Sequence, residues 1–162
     1  MTIRVLITGG TFDKEYNELD GTLFFKDTHL AEMLKLGRSK LDIKMRTVMM
    51  IYSLEMTNDD RETIYQNCKK SEEDRIVITH GTDTMTETAR YLGERIKDKT
   101  IVLTGAMVPF VFGSSDGLYN LGAALAFVQT LPNGVYIAMN GKYFVYTNVR
   151  KNKATGIFEE VK

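Results

Sequence analysis

The feature that most constrains this chain is an apolar run, Arg75-Ile76-Val77-Ile78, that breaks off into Thr79-His80-Gly81-Thr82-Asp83-Thr84-Met85. A helical pattern starts directly behind it in Thr86-Glu87-Thr88-Ala89-Arg90-Tyr91-Leu92. The run reads as a buried strand. Open α/β sheets place ligands where such a strand ends in glycine and small polar residues just before a helix. The backbone can come close at Gly81, and the helix N-terminus offers free N–H groups. Thr82 and Asp83 are therefore candidate site residues. They are equally good helix caps, so this stretch alone supports both readings.

The same punctuation recurs along the chain. Residues 3–8 read as a first strand ending in Gly9-Gly10-Thr11, where two glycines permit positive φ. A phosphate loop would need a Lys-Ser/Thr ending or a third spaced glycine, and neither follows. The alternative is a hydroxyl on a glycine-rich turn, which points to a nucleophile. Residues 12–26 are polar and read as a loop or a small hairpin turning at Asp20-Gly21, long enough for a lid. Tyr16 is either a working residue of that lid or its packing anchor.

Residues 28–36 read as a helix stopped by Gly37, with His29 at the surface. A second strand over 43–51 runs into Tyr52-Ser53-Leu54-Glu55-Met56, again polar groups past a strand end. Thr57 opens the next helix as a capping-box residue, and Cys68 on that helix reads as a packed thiol. Residues 99–104 form a strand ending in Gly105-Ala106-Met107. Ser115-Asp116-Gly117 starts an apolar helix (Leu118, Leu121, Ala124, Leu125, Val128) that is buried, or laid against another subunit. Strands over 135–139 and 143–146 follow, and Arg150-Lys151-Asn152-Lys153 brings three cations.

Strands alternating with helices predict an α/β fold: a mostly parallel, doubly wound sheet with helices on both faces. The strand ends then share one edge and can converge on a crevice lined by Thr11, Ser53, Glu55, Thr82 and Asp83. The 162 residues suit one domain rather than two. Balanced charge, 21 basic against 21 acidic residues, gives no reason to expect nucleic acid or an anionic membrane as partner. One cysteine excludes an intrachain disulfide and a cysteine-based metal site, and no His–carboxylate cluster has metal spacing. No signal-peptide pattern and no run of transmembrane length is present, so the expected location is cytoplasmic.

These residues resemble a known family. Thr8-Gly9-Gly10-Thr11 together with His80-Gly81-Thr82-Asp83-Thr84-Met85 is similar to the bacterial-type L-asparaginases. So are Thr104-Gly105-Ala106-Met107, Ser115-Asp116-Gly117 with Asn120-Leu121, and Met139-Asn140, all in the family's order. The resemblance implies an amidohydrolase converting L-asparagine to L-aspartate and ammonia without a cofactor. It matches Thr11 to the nucleophile, Tyr16 to the lid tyrosine, and Thr82, Asp83 and Lys151 to the second threonine with its Asp and Lys. Lys153 is the competing lysine. Ser53 and Glu55 match the pair that hold the substrate's α-carboxylate and α-amino groups, Gly81 belongs to the binding loop, and Ala106 contributes backbone. Family members are oligomers, so a homo-oligomer, dimer or tetramer, is expected.

The chain departs from the family in three places. The sequence stops about where the family's linker to a C-terminal domain would begin, so residues 1–162 are expected to form a single catalytic domain, either as a single-domain form of the enzyme or as the N-terminal domain of a longer one. Phe12-Asp13 follows the nucleophile where a small aliphatic pair is usual, with Asp13 expected to add a charge near the site. Val108 stands where an arginine often precedes the proline. Glutamine hydrolysis, alone or shared, and a non-catalytic amino-acid-binding module are the alternatives.

Overall fold

A computed structural model describes all residues, 1–162. Six strands form one sheet in the order β4-β1-β5-β6-β7-β8. They are β1 (Thr2–Gly9), β4 (Asp42–Ile51), β5 (Arg75–Thr79), β6 (Thr100–Thr104), β7 (Gly134–Met139) and β8 (Lys142–Val145). The first five run parallel, and β8 turns back antiparallel on β7 through Asn140-Gly141. A hairpin of β2 (Lys14–Asn17) and β3 (Thr22–Phe25) stands apart from the sheet, as does a pair of short strands, β9 (Arg150–Lys151) and β10 (Phe158–Glu159).

Strand periodicity divides the core in two. Leu6, Ile76, Ile78, Ile101, Leu103 and Ile137 face α2 (Asn58–Lys70) and α3 (Met85–Arg95), meeting Ile64, Cys68, Ala89 and Leu92. Their neighbours Val5, Ile7, Val77, Val102 and Ala138 face α1 (Leu30–Leu36) and α4 (Gly117–Thr130), meeting Leu30, Met33, Leu121, Ala124 and Val128. Both faces of the central strands are covered, which is why they read as continuous apolar runs rather than alternating ones. The doubly wound α/β fold expected from the sequence is the fold observed.

Local signals account for several boundaries. Thr57 and Asp60 form a reciprocal capping box: Asp60 N–H donates to Thr57 Oγ1 at 3.3 Å, and Thr57 N–H donates to Asp60 Oδ2 at 2.7 Å. Acidic residues in the first turn of α2 and Lys69-Lys70 in its last turn suit the helix dipole. Cys68 is buried, and loss of solvation pushes its thiol up to about 12, as befits a packed side chain.

The helix α4 lies on its own sheet through Leu121, Ala124 and Val128, the buried placement that its apolar positions predict. One expectation is corrected. His29 is mostly covered, with Nε2 3.3 Å from Glu15 and its ring 6.2 Å from that of Phe110. The β9–β10 pair was not legible, since two-residue strands carry no period.

No helix is long and apolar enough to cross a membrane. Replacing Thr57 with alanine removes one side of the capping box and should cost about 1 kcal/mol of stability. A urea titration should show a lower midpoint with an unchanged slope.

Candidate functional site

The sheet order places the switch point between β1 and β5: from β1 the chain goes out to β4, then returns to the other side. The loops behind these two strands leave the same edge side by side, since Ile7 pairs with Thr79. This is where a doubly wound sheet opens a crevice.

Two glycines let those loops touch. Gly10 has φ +81°, and a Cβ there would lie 2.6 Å from the Cα of Gly81. Gly9, at φ +103°, would meet the backbone of Ile51 in the same way, and Gly10 N–H donates to the Ile51 carbonyl at 3.2 Å. Only residues without a side chain fit both the dihedral and the space. Thr11, half-buried at the head of a short 3-10 turn over Thr11–Asp13, is thereby carried to the loop that holds Thr82.

Lys151 crosses to that loop from β9. Its Nζ donates to Thr82 Oγ1 and to Asp83 Oδ1, each at 2.8 Å. The Lys151 side chain is largely covered, whereas that of Asp83 is half exposed. Thr82 Oγ1 lies 3.6 Å from Met107 Sδ, a weak acceptor for the hydroxyl proton. Lys153 forms no hydrogen bond or ion pair with either residue and lies exposed. Thr82 and Asp83 do not cap the helix: the N-cap of α3 is Thr84.

Ser53 is buried against Gly81, where an added Cβ would fall 2.5 Å from the serine Oγ. Thr84 Oγ1 donates to the Ser53 carbonyl at 2.7 Å and ties the two loops together. Ala106 is buried behind the β6 strand end, and the Gly105 carbonyl accepts from Asn120 Nδ2 at 2.9 Å. Glu55 lies at the surface; its backbone N–H donates to the Tyr52 carbonyl at 3.0 Å, and its side chain forms no hydrogen bond or ion pair. Tyr16 is 53 % exposed on β2, its ring edge-on to Phe112 with centroids 6.4 Å apart, and it forms no hydrogen bond to Thr11 or Thr82.

The polar residues around this edge are positioned from below. His80 is fully buried, and Nδ1 donates to the Gly81 carbonyl at 2.7 Å, since a carbonyl can only accept. Its Nε2 then accepts from Thr88 Oγ1 at 2.8 Å, and Arg61 Nε donates to Thr88 Oγ1 at 3.1 Å. Burial lowers the imidazole to about 4; the Arg61 charge pushes the same way, against the opposing pull of the Gly81 carbonyl. The ring is therefore neutral, as this donor–acceptor order requires. Asp116 accepts from the N–H groups of Met107 and Val108 and from Asn120 Nδ2, each at 3.0 Å, and so folds the loop behind β6.

Asp13 corrects an expectation. It is fully buried rather than adding charge to the site. Its carboxylate accepts from His29 N–H at 2.8 Å and from Thr28 Oγ1 at 3.1 Å, and so anchors the start of α1. Burial raises its carboxyl above the usual range, with the two bonds pulling back. Sequence reasoning also missed Lys14 and Tyr52, which meet beside the site at 4.2 Å from ammonium to ring centroid. No local pattern marks that contact.

The His80 value sets a pH dependence. Between 6.5 and about 4 the unfolded chain takes up a proton that the folded chain refuses. Stability contributed by neutral His80 is full above that window and falls with pH inside it, by as much as about 3 kcal/mol. Urea midpoints measured down this range should drop more for the native chain than for His80→Gln. Parallel pH slopes would show that His80 is not the titrating group.

The chain is similar to known proteins along nearly its whole length. The model of the family described as "Asparaginase, N-terminal" matches residues 2–159. A protein of Haemophilus influenzae named "Probable L-asparaginase periplasmic" is 33% identical over 168 residues, covering 96% of this chain and 47% of the relative. The L-asparaginase of Thermococcus kodakarensis is 32% identical over 162 residues, covering 97% and 49%. A solved structure, "The thermostable L-asparaginase from Thermococcus kodakarensis", superposes with a TM-score of 0.87 and 30% identity over 99% of this chain and 51% of that one. The chain thus spans about half the length of the curated relatives it matches. A relative named periplasmic means that a family resemblance carries no cytoplasmic location with it.

Proposed function

The chain belongs to the asparaginase family, matching its N-terminal domain, and from that premise we propose that it hydrolyses the side-chain amide of L-asparagine to L-aspartate and ammonia. The observation that carries this reading is Lys151, whose ammonium bridges Thr82 and Asp83 at 2.8 Å each, beside the loop that presents Thr11. A threonine hydroxyl attacks an amide only when a neighbour takes its proton. The Thr82–Lys151–Asp83 set is a proton-handling chain of the right kind, and Asp83 balances the lysine's charge as protons move.

In this reading Lys151 first gives a proton through the half-exposed Asp83 to solvent. Its neutral amine then draws the Thr82 proton while Thr82 Oγ1 takes that of Thr11 and the Thr11 oxygen bonds to the amide carbon. The tetrahedral oxyanion lies among the N–H groups of the two strand-end loops. Collapse expels the nitrogen, which takes a proton and leaves as ammonia. Water then cleaves the Thr11 ester, releasing aspartate and the free hydroxyl. Gly81 and Ala106 contribute backbone to the pocket, and Ser53 holds the α-carboxylate. Glu55, at the surface here, and Tyr16, on the outer hairpin, join only when ligand closes the site. The residues that match the asparaginase N-terminal domain supply this chemistry in a self-associated assembly, with no metal or organic cofactor in the scheme.

Ammonia release from L-asparagine and L-glutamine, followed up to about 10 mM and beyond because weak binding is expected, tests the reading. Thr11→Ala should abolish release while the circular dichroism and urea midpoint stay native. Lys151→Met should lose about 100-fold or more, against little change for Lys153→Met. A folded wild type silent with both amides, or a Thr11→Ala protein with native turnover, would sink it.

A further inference from the structure

Lys14 is a cation that the fold brings to the site and leaves without a partner anion. It follows the Thr11–Asp13 turn directly, as the first residue of β2, and its N–H donates to the Thr11 carbonyl. Its ammonium lies 4.2 Å from the centroid of the Tyr52 ring, and Tyr52 immediately precedes Ser53. Phe25, paired with Lys14 across the hairpin, also lies on that ring, at 5.0 Å between centroids. Tyr52 Oη donates to the Leu23 carbonyl at 2.7 Å, which fixes the ring under the hairpin. The lysine is therefore held in place, half-buried, between the nucleophile loop and the Ser53 loop.

No carboxylate lies within ion-pair distance of this ammonium, although every other covered basic group near the site has one: Lys151 has Asp83, and Arg61 has Glu87. Burial pushes Lys14 below the usual lysine range, while Asp83 is near enough to pull it partly back. The Tyr52 face compensates a partly desolvated cation only in part. Asp83 is already paired with Lys151, so the charge left unanswered at this edge is the Lys14 ammonium. An amide without a second charge would leave the lysine unanswered.

We propose that Lys14 is a specificity-determining residue that pairs with the α-carboxylate of the substrate and so restricts the site to α-amino-acid amides. This deepens the amidohydrolase reading and rests on it. The ammonium supplies the point charge, and the Ser53 loop beneath Tyr52 supplies the hydrogen-bonding wall. Because Lys14 belongs to the β2–β3 hairpin, the same ion pair draws the hairpin onto the bound amino acid.

The test compares L-asparagine with L-asparaginamide, in which a neutral carboxamide replaces the α-carboxylate. Binding of both is measured by NMR titration in the full chain carrying Thr11→Ala, with and without Lys14→Met or Lys14→Arg, so that the result does not depend on turnover. The expected result is at least about 10-fold weaker binding of asparagine to the Lys14→Met protein, the loss of one partly buried ion pair. Asparaginamide should change by less than about twofold, and Lys14→Arg should recover most of the asparagine affinity. In the wild-type background the same substitution should raise KM for asparagine with kcat nearly kept. Equal weakening of both ligands, no weakening of either, or failure of the Lys14-bearing protein to bind asparagine overturns the assignment. Selective weakening by Lys14→Met, together with a folded wild-type chain that releases no ammonia, would uphold Lys14 and sink the hydrolase reading instead.

Discussion

The close approach of Gly10 and Gly81 is the constraint on which the rest of the site depends. Two neighbouring parallel strands leave the sheet a strand spacing apart, and their loops would ordinarily splay to make room for side chains. Here neither loop carries one at the contact, and Gly10 sits at a positive φ that other residues resist. The backbones therefore meet, and the residues just beyond, Thr11 and Thr82, are delivered to one crevice. Ser53 closes the third side by resting on Gly81 itself. Three strand ends separated widely in sequence become one surface because one glycine is in contact with both neighbours.

Such a contact needs a rigid floor. Small polar loops bury few apolar atoms and hold their shape through hydrogen bonds instead. The chain Arg61–Thr88–His80–Gly81 fastens the second loop to α2 and α3, and every donor in it has an acceptor. Asp116 and Asn120 do the same for the loop behind β6. Asp13 anchors the first loop to the start of α1. Buried polar groups that look anomalous in isolation thus form three struts under one edge. Lys151 differs from them: its cation faces the half-exposed Asp83 and the Thr82 hydroxyl, where protons can exchange.

Much of the fold was legible. The parallel, doubly wound sheet follows from apolar runs alternating with capped helices, and the capping box at Thr57 and Asp60 is present as its spacing requires. The hairpin turning near Asp20-Gly21 and the short strand around Tyr143 and Phe144 are also present. Thr11, Ser53, Thr82 and Asp83 could be nominated because polar residues at strand ends have nowhere to be buried. The position of Glu55 was less legible, because exposure on a one-turn helix is decided by how that turn sits. Asp13 was misread because a charged residue beside a loop looks solvated until its donors, Thr28 and His29, are seen folding over it.

What the sequence determined by itself is therefore local and periodic: which segments are strands, which face of each is apolar, where helices begin, and where glycine lets the backbone turn. These follow from steric and hydrophobic preferences acting over a few residues. Only the tertiary structure decided which polar groups meet. The choice of Lys151 over Lys153 comes from where β9 lies against the loop behind β5, 68 residues earlier than its lysine. The placement of Lys14 over Tyr52 comes from how the hairpin folds onto the end of β4. Charge pairing depends on distance through space, and that distance is set by strand order and loop contact rather than by any pattern along the chain.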